Sequence, residues 1–172
     1  SSVLDFAFNI HSNLGIRCTG AKVNGKAVSI KEKLKTGDVV EIMSGKNQKP
    51  SADWVNYVVS AKAKNKIRQS LSEIEYKKAA EGKELLSRRL KNWKLEFLDE
   101  QMAELMKKLR IPTVNAFFAA IGEGTLDIDV IKTFILEYDE RAAKAIEAAK
   151  AADQVAAEES RNKWVSGKSS DD

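Results

Sequence analysis

DFAFNIHSNLGIRCTGAKVNGKAVSIKEKLKTGDVVEI, residues 5–42, decides the fold of the N-terminal part. Leu4, Phe6, Ala7, Phe8, Ile10 and Leu14 suit one amphipathic helix, which the pattern predicts to stop at Gly15. Arg17 to Val23 follows as a short strand. Asn24-Gly25 is next, and both positions of a two-residue hairpin turn need φ > 0, which this dipeptide tolerates best. Lys26 to Val28 is the returning strand. Ile30 and Leu34 bracket a short helical turn, Thr36-Gly37-Asp38 makes a second turn, and Val39 to Met43 is an apolar strand. The order is helix, hairpin, turn, strand.

Beyond this stretch the pattern changes period. Ser44 to Pro50 (SGKNQKP) is a polar connector, and Ser51-Ala52-Asp53 is expected to open a helix with Trp54, Val55, Val58 and Val59 on its apolar side. Ala61 to Trp93 reads as a long basic helix carrying Ile67, Leu71, Ile74, Leu85, Leu86 and Leu90, with Gly82 as an expected interruption. Phe97, Leu98, Met102, Leu105, Met106 and Leu109 define another helix. Pro112 suits the first turn of a short helix, Thr113 to Ile121, because proline needs no amide donor there. Asp127 or Asp129 is expected to cap a last helix that buries Val130, Ile131, Phe134 and Ile135. The alanine-rich run Ala142 to Ala157 has high helix propensity and little to bury, so it is expected to project outward or pack on another copy, and Val165 to Asp172 is expected to fray.

Composition narrows the function classes. Up to Trp93 there are 18 Lys and Arg against 9 Asp and Glu, an excess of +9; from Lys94 on there are 11 against 16, an excess of −5. A basic half seeks phosphate or an acidic protein surface, or simply solvates its helices. One cysteine, Cys18, excludes an internal disulfide and fits a reducing, cytoplasmic setting. No apolar run approaches the roughly 20 residues a bilayer needs, and the N-terminus lacks a signal-peptide pattern, so no membrane partner is expected. There is no phosphate-cradling glycine loop, and one histidine with one cysteine argues against a transition-metal site. A thiol–imidazole nucleophile from Cys18 and His11 lacks an orienting group; Cys18 is better read as a core residue. Adjacent carboxylates such as Glu158-Glu159 point away from each other on a helix. No catalytic residue, metal or cofactor is assigned.

From Asp5 to Arg68 the chain resembles the TGS domain and following helix of RelA/SpoT-family proteins, the GTP pyrophosphokinases and (p)ppGpp hydrolases. The resemblance rests on DFA with IHS, then GAKVNG, GDVVEI, PSADW and KNKIR, in order. GKELLSRRLKNW and LRIPTVNAFFAAIGEGTLD resemble the helical domain that follows TGS in that family. A TGS domain from threonyl-tRNA synthetase or an Obg-like GTPase fits the KNKIR and GKELL segments less well. The resemblance implies an α+β chain: an incomplete, ubiquitin-like β-grasp at 1–48, lacking its first hairpin, an all-α helical domain at 49–136, and a helical tail at 137–172. A missing hairpin exposes strand edges, so homo-oligomerisation is expected.

The resemblance also implies a role. In long RelA/SpoT proteins, TGS engages the 3′ CCA end of deacylated tRNA on the ribosome and relieves autoinhibition of the catalytic domains. His11 and Ser12 match the family's IHS motif at those nucleotides. An imidazole can stack on an unpaired base or hydrogen-bond a ribose or phosphate. Arg17, Lys62, Lys64, Lys66 and Arg68 are the accompanying RNA-binding candidates; Lys62 and Lys66 share one helix face, Lys64 and Arg68 another. Taken without the resemblance, His11 is an ordinary helix residue and the cations a solvated face; Trp54 and Trp93 can stack on bases but sit at core spacing. Related proteins use TGS to contact acyl carrier protein, an acidic partner that suits the basic half. The implied parent resembles a GTP diphosphokinase and a guanosine-3′,5′-bis(diphosphate) 3′-diphosphatase. Its catalytic domains lie upstream, so this fragment is expected to be regulatory and not an enzyme.

Overall fold

α1 (Val3–Ile10) begins with a reciprocal cap: Ser2 Oγ accepts the Asp5 N–H at 3.1 Å, and the Asp5 carboxylate accepts the Ser2 N–H at 3.1 Å. The structure, a computed structural model, describes residues 1–168. α1 buries Val3, Leu4, Ala7 and Phe8. It does not run to Gly15. At His11 the backbone is extended (φ −161°, ψ 140°), ending α1 and opening α2 (Ser12–Ile16). Gly15 therefore lies inside α2, buried, where an added Cβ would overlap the Phe8 ring. The missing side chain at residue 15 serves packing, not helix termination.

β1 (Cys18–Val23), β2 (Lys26–Val28) and β3 (Val40–Ser44) form an antiparallel sheet in the order β2-β1-β3. Asn24 and Gly25 make the hairpin turn with φ of 52° and 81°, as the dipeptide predicts. Ala21 pairs with Val28 on one side and Ile42 on the other. The third strand starts one residue later than predicted, because Val39 is held outside the ladder by Asn24: its N–H donates to Asn24 Oδ1 at 3.0 Å and its carbonyl accepts the Asn24 N–H at 2.8 Å. Residues 30–34 form one turn and an isolated bridge, Lys33 to Ser2, where a helical turn was expected.

Ser51-Ala52-Asp53 opens only a 3₁₀ turn, Ala52–Asn56, and Ser51 makes no side-chain cap bond to it. Trp54 and Val58 are buried as expected, but Val59 is 74% exposed. The cause lies far back in the sequence. Asp5 Oδ1 accepts the N–H of Val59 at 3.1 Å and of Ser60 at 3.2 Å, holding these residues out of a helix. Ser60 Oγ then accepts the Ala63 N–H at 3.3 Å, and α3 (Ala61–Trp93) begins.

Packing divides the chain into two compact units, Ser1–Ala80 and Glu81–Asp172. In the first, Trp54, Val58, Ala63 and Ile67 join Val3, Leu4, Ala7, Phe8, Cys18 and Ala21 in one core. The domain boundary read from the sequence at 48/49 therefore falls inside the first unit, because the sheet and α1 need Trp54 and Ile67 to cover them.

The second unit packs the C-terminal part of α3 with α4 (Asp99–Leu109), α5 (Val114–Glu123) and α6 (Ile128–Lys168). Its core is Leu86, Leu105, Phe117, Ile121, Leu126, Ile131, Phe134 and Ile135. Gly82 does not interrupt α3. A Cβ there would collide with the Phe118 carbonyl and lie 2.8 Å from Gly122 N, so the glycine lets α5 press against α3. Leu98 is 52% exposed, outside the helix face predicted for it. Thr113, extended at φ −134°, caps α5 by accepting the Ala116 N–H at 3.0 Å, so Pro112 precedes the helix instead of entering its first turn. Asp127 caps α6, accepting the Asp129 N–H at 2.9 Å. Val130, expected buried, is 42% exposed. From Asp139 to Gly167 every α6 residue is exposed. Residues 165–168 are helical where fraying was expected, and the rest of that expectation, residues 169–172, lies outside the described residues. Among the described residues no helix is long and apolar enough to cross a membrane.

Candidate nucleic-acid interface

His11 sits in the elbow between α1 and α2, exposed to solvent. Its Nδ1 accepts the Asn13 N–H at 3.1 Å, so the imidazole serves as the N-cap of α2. A neutral imidazole has one acceptor and one donor nitrogen. With Nδ1 accepting, Nε2 carries the proton and is the nitrogen left to meet a partner. Histidine is not among the preferred capping residues, so propensity gave no signal for this role. Beside it Ile10 is 56% exposed, an apolar surface that the periodicity had assigned to the helix's buried side.

α2 gathers the N-terminal candidates. His11 caps its start, Ser12 is its first residue and exposed Arg17 is its C-cap, with the Arg17 N–H bonded to the Asn13 carbonyl at 3.1 Å. A five-residue helix is roughly 7–8 Å long, so these three residues fall within the reach of one or two nucleotides. The four α3 cations form a second group. Ala63 and Ile67 are fully buried and mark the inward seam of α3. Neighbours on a helix are about 100° apart, which puts Lys62 and Lys66 on one flank of that seam and Lys64 and Arg68 on the other. Lys62 and Arg68 are exposed, Lys64 and Lys66 half-buried. Lys62 also lines a cavity of about 260 Å³ together with Phe6 and Asn9 of α1.

The sequence reading missed Asp5. It takes N–H groups from Ser2, Val59 and Ser60, and so fixes α1 against the start of α3 within the first unit. Nothing in its local sequence distinguishes it from a plain capping aspartate; the partners lie 54 and 55 residues away.

Cys18 is fully buried, burial pushes its thiol pKa up, and Sγ donates to the Gly20 carbonyl at 3.5 Å. A buried thiol held in its protonated form is a poor nucleophile, and His11 Nδ1 is already engaged. Among the described residues no group of three or more His, Cys, Asp or Glu could hold a metal ion.

Residues 1–44 match the TGS domain and residues 73–134 the RelA/SpoT AH domain. The bifunctional (p)ppGpp synthase/hydrolase RelA of Mycobacterium tuberculosis is 40% identical over 131 residues, 72% of this chain and 18% of that protein. A GTP pyrophosphokinase of Myxococcus xanthus is 40% identical over 126 residues, 70% of this chain and 17% of that protein. A guanosine-3′,5′-bis(diphosphate) 3′-pyrophosphohydrolase of Vibrio cholerae is 34% identical over 142 residues, 79% of this chain and 20% of that protein. The chain thus spans at most a fifth of the length of these relatives. It belongs to the RelA/SpoT family, carrying a TGS domain joined to an AH domain.

Proposed function

We propose that this chain is the regulatory region of a bifunctional (p)ppGpp synthetase/hydrolase and senses the 3′ CCA end of deacylated tRNA on the ribosome. The observation that carries the reading is His11: exposed at a helix break, with Nδ1 occupied by Asn13 and Nε2–H free to donate to a base, ribose or phosphate oxygen. Ile10 supplies an apolar surface for a stacked base, and Arg17 a charge for a phosphate at the other end of α2. An amino acid esterified to the terminal ribose would crowd this elbow, so the uncharged end is preferred. The region itself needs no cofactor, and the chemistry belongs to catalytic domains elsewhere in the longer protein.

The test is equilibrium binding of a CCA-ending acceptor-stem RNA and its 3′-aminoacylated form to a chain with its natural upstream residues. Deacylated RNA binds about tenfold or more tightly than the charged form; His11→Glu removes that binding, and added salt weakens it. Equal affinity for both RNAs sinks the proposal.

The basic flanks of α3 favour a second reading, a docking site for an acidic protein such as acyl carrier protein. That reading requires binding that ignores His11→Glu and disappears with Lys64→Glu and Arg68→Glu together.

A further inference from the structure

The second unit carries an open groove of about 430 Å³ along α4 and α6. Leu105, Lys108 and Leu109 face it from α4; Val130, Thr133, Phe134 and Glu137 face it from α6, with Asp127 and Asp129 at the α6 N-terminus. Both sets follow helical i, i+3, i+4 spacing, so each helix presents one continuous face. Leu105 and Phe134, 1% and 5% exposed, form the floor, while Leu109 and Val130, 36% and 42% exposed, are walls left uncovered. The pair is tied elsewhere by polar bonds: Gln101 Nε2 donates to Asp139 Oδ1 at 3.0 Å, and Arg141 pairs with Glu104 at 3.2 Å. The groove lies along the untied part of the same two helices.

We propose that this groove is a docking site for a basic amphipathic helix of a partner protein. The apolar floor selects leucine-like side chains at helical spacing. The rim selects their surroundings: Asp127, Asp129 and Glu137 against Lys108 give the groove a net negative lining. That charge repels nucleic acid and acidic proteins, and attracts lysine- and arginine-flanked segments. This chemistry is opposite to that of the α2 and α3 surface, so the two sites take different partners.

The test uses the whole chain and a fluorescent helical peptide of about 16 residues with leucines at i, i+3, i+4 and i+7 and lysines elsewhere. Its counterpart replaces every lysine with glutamate. The wild-type chain binds the lysine peptide at least tenfold tighter than the glutamate peptide. Val130→Arg, which fills the groove at an exposed position, weakens the lysine peptide at least tenfold. Glu137→Lys weakens it severalfold, and less so at high salt. Circular dichroism shows both variants folded. Glu147→Lys with Glu158→Lys, on the exposed stretch of α6, leaves affinity unchanged. Failure of the wild-type chain to bind, equal affinity for both peptides, or an equal loss in the Glu147/Glu158 control overturns the proposal.

Discussion

The Asp5 carboxylate accepts the backbone N–H of Val59 at 3.1 Å across 54 residues of chain, and through Ser60 it also sets where α3 begins. One buried side chain thus decides two helix starts, that of α1 through Ser2 and that of α3 through residues 59–60. Removing it strands the buried Ser2 N–H and the part-buried N–H groups of Val59 and Ser60 at once. A fully buried donor left unmade costs about 1–3 kcal/mol, a part-buried one less because water can reach it. Asp5→Ala is expected to destabilise the first unit by about 3 kcal/mol, and Asp5→Asn by less, since the amide oxygen still accepts. Urea unfolding followed by fluorescence of Trp54 and the other tryptophans checks this; an Asp5→Ala midpoint equal to wild type refutes the anchoring role.

His11 has a structural task and a proposed recognition task, and two substitutions separate them. His11→Ala loses the cap on α2, at about 1 kcal/mol. His11→Asn keeps an acceptor for the Asn13 N–H but removes the imidazole. Both variants are expected to lose affinity for the CCA end equally, while only His11→Ala loses thermal stability. Full RNA affinity in His11→Asn would mean that the imidazole acts only through the cap.

Gly82→Ala sets helix propensity against overlap. Alanine is favoured over glycine in a helix by about 1 kcal/mol. The new methyl would meet backbone atoms of α5, the Phe118 carbonyl and Gly122 N, which cannot swing aside as a surface side chain does. Overpacking costs about 1–3 kcal/mol or more, so the overlap wins and the substitution destabilises. Amide hydrogen exchange is expected to accelerate in α5 and the α3 segment beside it, with β1 unaffected. A stabilised variant would contradict the close approach.

Asp38 accepts the Lys35 N–H at 2.8 Å and the Asn24 side-chain N–H at 3.1 Å, and these two bonds, the first the larger, hold its carboxyl below the ordinary value of 3.8. A carboxyl depressed in the folded state adds stability above its unfolded pKa and loses it as pH falls through the folded pKa. The contribution is therefore complete at neutral pH, begins to fade as pH falls to about 3.8, and is gone only below the depressed folded value. Asp38→Asn is expected to lower the urea midpoint at pH 7, with the gap closing as pH drops below about 3.8. A gap that stays constant with pH would assign the loss to geometry, not charge.

Legibility in the sequence followed the range of the interactions. The Asn24-Gly25 turn, the β1–β2 hairpin and the span of α3 rest on local propensity and periodicity and stand where those predict, except that β1 starts at Cys18 because Arg17, read as strand, is the C-cap of α2. The resemblance to RelA/SpoT proteins located the TGS sheet and the helical region after it. The α1–α2 break escaped because apolar spacing continues through it from Ile10 to Leu14, and only an unusual histidine cap marks the elbow. The 3₁₀ turn before α3 escaped because its cause is Asp5. Val59 and Val130 were read as core from spacing alone, yet one has its N–H drawn to Asp5 and the other lines an open groove. The RNA candidates on α2 share one short element; those on α3 flank a buried seam, which the sequence identified only as two helix faces.

The sheltered sulfur of Cys18, in the sheet of the first unit, makes the protein carry its own clock. As the chain's sole thiol, it reacts with an aromatic disulfide reagent only when that unit opens. Labelling rates measured across denaturant then time the opening of the TGS half alone, free of any signal from the AH helices.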